Sequence, residues 1–380
     1  MHPLVVIGAG PVGLAAAANA QSRGIDTVVL EAGPAAGASV REWGHVRLFS
    51  PWSELIDPAA EKLLAGAGWA TPSPQAYPTG ADWVADYLQP LADALDATDS
   101  VTVRYRSRVV GVARRGRDLM VDAGRDDVPF AVHVESPAGS ERITARAVID
   151  ASGTWGSPNP LGADGYPAPG EAEHADHISY GIPDFSDAAV AERYAGRHVV
   201  VAGTGASAQN TLVGLARLAQ RHPDTRVSWL VRRTGTGAAF GGGDNDQLVE
   251  RGALGRRARE ATESDVVRTL TAFRTAAVLD DADGRMRLES LDGEVVDGVD
   301  EVVVVTGFRP DLSILSEVRL DLDAVLQAPR ALAPLIDPNV HSCGTVYPHG
   351  ASELAQPEAA LYLAGMKSYG RAPSFLALTG

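Results

Sequence analysis

Short apolar runs rich in β-branched residues recur along the chain, and each stops abruptly at a small or charged residue. Leu4-Val5-Val6-Ile7 breaks at Gly8, Thr27-Val28-Val29-Leu30 ends in Glu31, and the run reaching Ile149 ends in Asp150-Ala151-Ser152-Gly153. The rhythm returns in His198 to Ala202 before Gly203, in Val227 to Val231 before Arg232, in Glu301 to Val305 before Thr306-Gly307, and in Leu361 to Ala364 before Gly365. Runs that are apolar on both faces are read as buried strands of a helix-covered sheet. The alanine-rich run Ala15 to Ala20 predicts a helix after the first strand, and 82–95 reads as an amphipathic helix with Trp83, Tyr87 and Leu91 on one face. Three β-rich runs, Val101 to Val110, Val128 to Val134 and Arg142 to Ile149, predict a β-meander inserted among the strands. The pattern as a whole predicts an α/β fold.

Two of the strand ends carry phosphate chemistry. Gly8 permits a tight turn, Gly10 lets a phosphate approach the backbone, and Gly13 lets the following helix, opening at Pro11 and Val12, sit close on the sheet. Glu31, followed by Ala32, comes about twenty residues later, where a carboxylate accepts hydrogen bonds from an adenosine ribose. A second cradle follows His198 to Ala202: Gly203, Thr204 and Gly205, then Ser207 and Ala208, with alanine in the third place. Its next strand ends in Arg232-Arg233, not in an acid. Guanidinium groups pair with a ribose 2′-phosphate, so NADPH fits better than NADH; the alternative is a solvated strand edge.

Composition narrows the classes. Lys+Arg 33 against Asp+Glu 48 gives a net charge of -15, which argues against nucleic-acid or anionic-membrane partners. No apolar run approaches the ~18 to 20 residues that span a bilayer, and the first strand begins at once, so a cytoplasmic protein without signal peptide is expected. One cysteine, Cys343, excludes an internal disulfide, a CxxC pair and a thiolate metal cluster, and no metal site is expected. Packing is its bland role; a single redox thiol is the other. A homodimer is left open.

Between the cradles lies Arg41-Glu42-Trp43-Gly44-His45-Val46-Arg47-Leu48-Phe49-Ser50-Pro51-Trp52, dense in aromatic and basic residues for a loop. Loops after the first βα unit line the ligand crevice of such sheets, so Arg41, Trp43, His45, Ser50 and Trp52 are the candidate catalytic residues, with Arg41 also near the cofactor. The other reading is an aromatic loop packed on the core. Ser152 and Gly153, Gly307, and the turn Gly365-Met366-Lys367 complete the cofactor-binding candidates, each a small-residue turn after an apolar strand. The glycines of 240–248 suit a lid, and a helix is expected to start at Pro373, short against the end at Gly380. Residues 156–305 are read as one domain inserted into another made of 1–155 and 306–380.

GAGPVG at Gly8 to Gly13, GTGASA at Gly203 to Ala208 and TGFRPD at Thr306 to Asp311 together resemble the two-dinucleotide-binding-domain flavoproteins, in their flavin-containing monooxygenase-like branch. The resemblance implies two Rossmann-like, three-layer ββα domains, with FAD in the discontinuous one and NADPH in the insert. REWGHVRLFSPW, HSCGTV and GMKSYGRAP are similar to actinobacterial flavin-binding monooxygenases associated with arsenic resistance. Of the family's linker signature Gly170 and His174 are kept, while Ala168 and Ile178 depart from it. In the last flavin turn Met366 stands where the family often has aspartate. The implied activity is transfer of oxygen from dioxygen to sulfur, nitrogen or arsenic(III) through a C4a-hydroperoxyflavin. The alternative is an NADPH-dependent flavin reductase of a small acceptor, and a flavin-binding sensor is the third class; a sensor needs no NADPH site.

Overall fold

The computed structural model describes residues 2–241, 245–337 and 349–372. The chain forms two compact units, Met1–Ser157 with Arg309–Gly380, and Pro158–Phe308. Their boundaries lie two or three residues beyond the expected 155/156 and 305/306. In the second unit Pro158 bridges Phe308 and the Asn159 N–H donates to Gly307 O (2.9 Å), while in the first the Arg309 N–H donates to Ser157 O (2.9 Å).

In chain order the first unit opens with β1 (Leu4–Ile7), α1 (Pro11–Gln21), β2 (Thr27–Leu30), α2 (Ala38–Glu42), α3 (Trp52–Leu55), α4 (Pro58–Gly66), α5 (Gly80–Trp83) and α6 (Gln89–Asp96). Then come β3 (Val101–Arg104), β4 (Arg108–Arg114), β5 (Phe130–Ser136), β6 (Gly139–Ala145) and β7 (Ala147–Asp150). The second unit holds β8 (Ile178–Tyr180), α7 (Ala188–Tyr194), β9 (His198–Ala202), α8 (Ala206–Arg221), β10 (Arg226–Val231), α9 (Val249–Thr262), β11 (Val267–Thr271), β12 (Thr275–Asp280), β13 (Met286–Ser290), β14 (Val295–Val299) and β15 (Glu301–Val304). The return adds α10 (Ala333–Ile336), α11 (Ala351–Leu354) and β16 (Leu361–Leu363).

Each unit is a three-layer ββα sandwich. In the first, a five-stranded parallel sheet of order β16-β7-β1-β2-β3 is faced on one side by α1, α4 and α6 through Leu14, Leu64 and Leu91, and on the other by the antiparallel β4-β5-β6 through Val109, Phe130 and Val132. In the second, the parallel order β11-β10-β9-β15-β8 is covered by α8 and α9 through Leu212, Leu215 and Ala258, and by β12-β13-β14 through Val278, Leu288 and Val296. Apolar positions on both faces of each central strand account for the unbroken runs in the sequence.

Two expected strands divide. The run from Val101 to Val110 is β3, which joins the parallel sheet beside β2, and β4, which starts the meander; Arg106 turns the chain between them at φ 49°. The run from Arg142 to Ile149 is the end of β6 and then β7, broken where the Arg146 N–H leaves the ladder for Pro3 O (3.0 Å). Hydrophobic pattern alone cannot register a change of partner within one apolar run. The expected helix over 82–95 spans α5 to α6 with a π-turn at Val84–Leu88. Pro90 has no N–H for the Asp86 carbonyl four residues back, and the Trp69 indole N–H takes that carbonyl at 2.7 Å.

Gly170 and His174 pin the linker segment to the second unit. A Cβ on Gly170 (φ +85°) would stand 1.8 Å from Val278 O. The Val278 N–H donates to Pro169 O (2.8 Å), and the His174 ring bridges Gly170 O (2.8 Å) and Asp280 Oδ1 (3.1 Å).

Candidate functional site

The first cradle is built at the carboxyl ends of β1 and β2. Gly8 sits at φ +101°, its N–H donating to Leu30 O at 2.7 Å, and a Cβ there would meet Ala151 O at 2.8 Å. A Cβ on Gly13 would lie 2.0 Å from Gly8 O, so only glycine lets α1 rest on the turn. Gly10 is extended with open space around it, and α1 starts at Pro11 and Val12 with neither a side-chain cap nor an acid in its first turn. Its first N–H groups are thus left for an anion. Glu31 accepts from the Ala9 N–H (2.8 Å) and the Gly33 N–H (2.7 Å), one on each carboxylate oxygen, which fixes the carboxylate and leaves each oxygen a further lone pair for a ribose hydroxyl. Ala32 beside it is exposed.

The ends of β7 and β16 continue the same sheet edge. Gly153 and Gly365 turn the chain there at φ +71° and +62°, and Gly365 packs against Val12, whose methyl would be 3.0 Å from a Cβ. Behind them Asp150 Oδ1 accepts from the Ser152 N–H (3.0 Å) and hydroxyl (2.6 Å). The buried Lys367 ammonium lies 3.3 Å from Asp150 Oδ2 and donates to Ser152 Oγ at 3.1 Å. Met366 is half-buried. Hydrogen bonds from the Ser313 hydroxyl and N–H hold the exposed Asp311 carboxyl below the usual range, and the Lys367 charge adds to this. Asp150 was not singled out from the sequence; a carboxylate closing an otherwise apolar strand was the available signal.

The aromatic loop divides between core and surface. Trp52 is 4 % exposed inside the α-helical core and Ser50 is buried, so neither stands on the open face. Trp43 is half-buried with its ring 2.9 Å from the position of a Gly80 Cβ, and His45 is half-buried. Arg41 is exposed, donating through Nε to Ala36 O (3.2 Å) and through Nη2 to Gln89 Oε1 (3.3 Å), while Arg47 donates to Tyr77 O (2.5 Å). The Trp155 indole N–H joins the β7 turn to the loop, donating to Glu42 Oε2 at 2.6 Å. Neither Glu42 nor Trp155 was among the candidates, and the pair is 113 residues apart in sequence.

The second cradle repeats the first. A Cβ on Gly203 (φ +131°) would meet Val305 O at 2.3 Å, Gly205 is open, and α8 has neither side-chain cap nor acid in its first turn. Trp229 Nε1 donates to Gly203 O (2.7 Å), fixing the turn from below. Ala208 is buried, and Thr204 and Ser207 are half-buried beside the opening. Arg232 and Arg233 are exposed, and neither side chain bonds to any described residue. Gly307, expected with the outer domain, belongs to the second unit. Phe240 is buried against Trp229 (5.8 Å between centroids) under the Arg259 guanidinium, and Asp246 pairs with Arg251 at 2.8 Å, so both flanks of the expected lid are anchored. Residues 242–244, Cys343 and the expected helix start at Pro373 lie outside the described residues. No helix among the described residues is long and apolar enough to cross a membrane.

Solved structures share this architecture. The bacillithiol disulfide reductase Bdr (YpdA) from Bacillus cereus superposes with a TM-score of 0.69 at 19% identity, covering 97% of this chain and 92% of that one. The FAD-bound cadaverine monooxygenase DfoA from Erwinia amylovora gives 0.64 at 13%, over 100% and 92%. A mutant flavin monooxygenase from Stenotrophomonas maltophilia gives 0.62 at 23%, over 100% and 96%. No curated protein sequence matches this chain. The sequence profile of pyridine nucleotide-disulphide oxidoreductases matches residues 5–331. Two open phosphate cradles on two ββα units agree with that match, and this chain is an oxidoreductase belonging to the pyridine nucleotide-disulphide oxidoreductase family.

Proposed function

We propose that this chain is a monooxygenase that uses FAD and NADPH to place one oxygen atom of dioxygen on a soft nucleophile, a sulfide, an amine or a trivalent arsenical. Two electrons come from NADPH as a hydride, and the second oxygen atom leaves as water, its two hydrogens balanced by that hydride and one proton from solvent. FAD held there would supply hydride acceptance and electron transfer; the protein's part is to choose the acceptor. The α1 N–H groups hold the pyrophosphate of FAD and Glu31 its adenosine ribose, while Arg232 and Arg233 bind the 2′-phosphate of NADPH.

One observation carries the oxygenase reading. Two nucleotide cradles stand in a chain of 380 residues with a single cysteine, so no disulfide within the chain can take electrons from flavin, which favours an acceptor from outside it such as dioxygen. Trp155, bonded to Glu42 of the aromatic loop, stands at the β7 turn, and Trp43, packed over Gly80, is the next residue after Glu42; on this reading the two rings help exclude water so that oxygen is transferred and not lost as peroxide.

A reductase that transfers no oxygen is the second reading. It is favoured by the commitment of Trp52 to the core and of Arg47 to the Tyr77 carbonyl, which takes both from any substrate pocket. NADPH consumed against product oxygenated separates the two, in wild type and Trp43→Leu. The oxygenase reading expects tight coupling in wild type and a several-fold fall in the variant at unchanged flavin content. NADPH use with no oxygenated product from any of the three substrate classes would leave the reductase reading.

A further inference from the structure

We propose that Lys367 sets the charge felt by the flavin: a buried ammonium, held by Asp150 and Ser152 under the flavin half of the cradle, that makes bound flavin easier to reduce. The inference rests on the FAD reading of the first unit. Strand order gives the direction of the dinucleotide. In β16-β7-β1-β2-β3 the pyrophosphate turn ends β1 and the ribose-binding Glu31 ends β2, so the adenosine half runs toward β2 and the other half over β7 and β16. Adjacent strands stand about 4.8 Å apart, so both ends lie within about 10 Å of β1.

Those two ends carry the network. Lys367 is 1% exposed and Asp150 0%, yet Ser152, which bonds to both, is exposed, and its Cα lies 3.2 Å from where a Cβ on Gly8 would stand. The hydroxyl is therefore the opening of a buried charged pair toward the cradle. Among the described residues, Asp150 Oδ2 is buried without a hydrogen bond and has the Lys367 ammonium, 3.3 Å away, to balance it. A fully buried lysine is costly unless its charge is matched or used. Hydride adds two electrons and one proton to a neutral ring system, leaving one extra negative charge; the Lys367–Asp150 pair is neutral as a whole, so the proposed effect is that of its ammonium pole turned to the flavin in a low-dielectric site.

The test is the midpoint potential of the FAD-loaded protein, measured against a redox dye in wild type, Lys367→Met, Lys367→Arg and Asp150→Asn, with flavin stoichiometry recorded alongside. The expected result for Lys367→Met is a reduction equilibrium at least tenfold less favourable, a fall of about 30 mV for a two-electron couple, and restoration by Lys367→Arg. Asp150→Asn, which removes the carboxylate in contact with the ammonium and leaves Asp311 as a more distant one, moves the potential the opposite way. Unchanged potentials with flavin retained overturn the proposal and leave Lys367 a structural tie. Should Lys367→Met lose flavin, the sign of the Asp150→Asn shift decides: upward supports the proposal, and unchanged or downward refutes it. Wild-type protein that takes up no FAD would instead refute the flavin reading itself.

Discussion

Replacing Arg232 and Arg233 together with alanine removes two guanidinium groups that follow directly on β10 (Arg226–Val231), the strand beside the second cradle. Both are exposed and bond to no described residue, so neither supports the fold, and the double variant should melt within a degree or two of wild type. Their loss is felt only by an incoming anion. A hydrogen bond to a charged group contributes about 1.5 to 3 kcal/mol, so removing one contact raises the Kd for NADPH roughly ten- to hundredfold, with a larger effect if both arginines bind. NADH carries no 2′-phosphate, and its Kd should stay within about twofold. Salt should weaken NADPH binding to wild type and act far less on the variant. Anaerobic stopped-flow reduction of the flavin, titrated with each nucleotide at low and high salt, yields all four comparisons. An NADPH:NADH preference that survives both substitutions would refute the assignment of these arginines.

A Cβ on Gly10 would meet no atom within 4 Å, so Gly10→Val should fold with little change in Tm yet purify colourless; a yellow variant with about one FAD per chain would move the flavin elsewhere. Glu358, fully buried, accepts from Arg114 (2.6 Å) and Arg125 (2.7 Å), and Glu358→Gln leaves two buried cations short of a charge, at about 3 to 5 kcal/mol by urea unfolding; a loss under about 1 kcal/mol would show the pair is not needed. Burial opposes the Glu358 charge, but its bonds from Arg125 and Arg114 outweigh this and lower its pKa from 4.5. The wild-type advantage over the glutamine variant should therefore be full at neutral pH and shrink only as pH falls below about 4.5 toward the folded value.

What could be read from the chain was what depends on backbone and spacing. Gly8, Gly13 and Gly203 announce themselves because a Cβ would strike a backbone carbonyl at each, and sheet contact of that kind leaves glycine in the sequence. Contacts made by distant side chains leave no such mark. Nothing near Lys367 in sequence points to Asp150, and nothing near Glu42 points to Trp155. Trp52 shows the converse limit, since an aromatic beside a ligand crevice and one in the core under it have the same neighbours in sequence. The division of 101–110 between two sheets was hidden for a related reason, because β3 and β4 have equally apolar strand faces and only the partner differs.

The most direct test of oxygen transfer is to run the enzyme with NADPH under isotopically labelled dioxygen, offering a sulfide, an amine and a trivalent arsenical in turn, and to weigh the products. The expected result is one labelled oxygen atom per product molecule from at least one of them, at close to one NADPH consumed. No label in any product, with a disulfide or quinone reduced at a good rate instead, would contradict the monooxygenase assignment and leave this chain a flavin reductase.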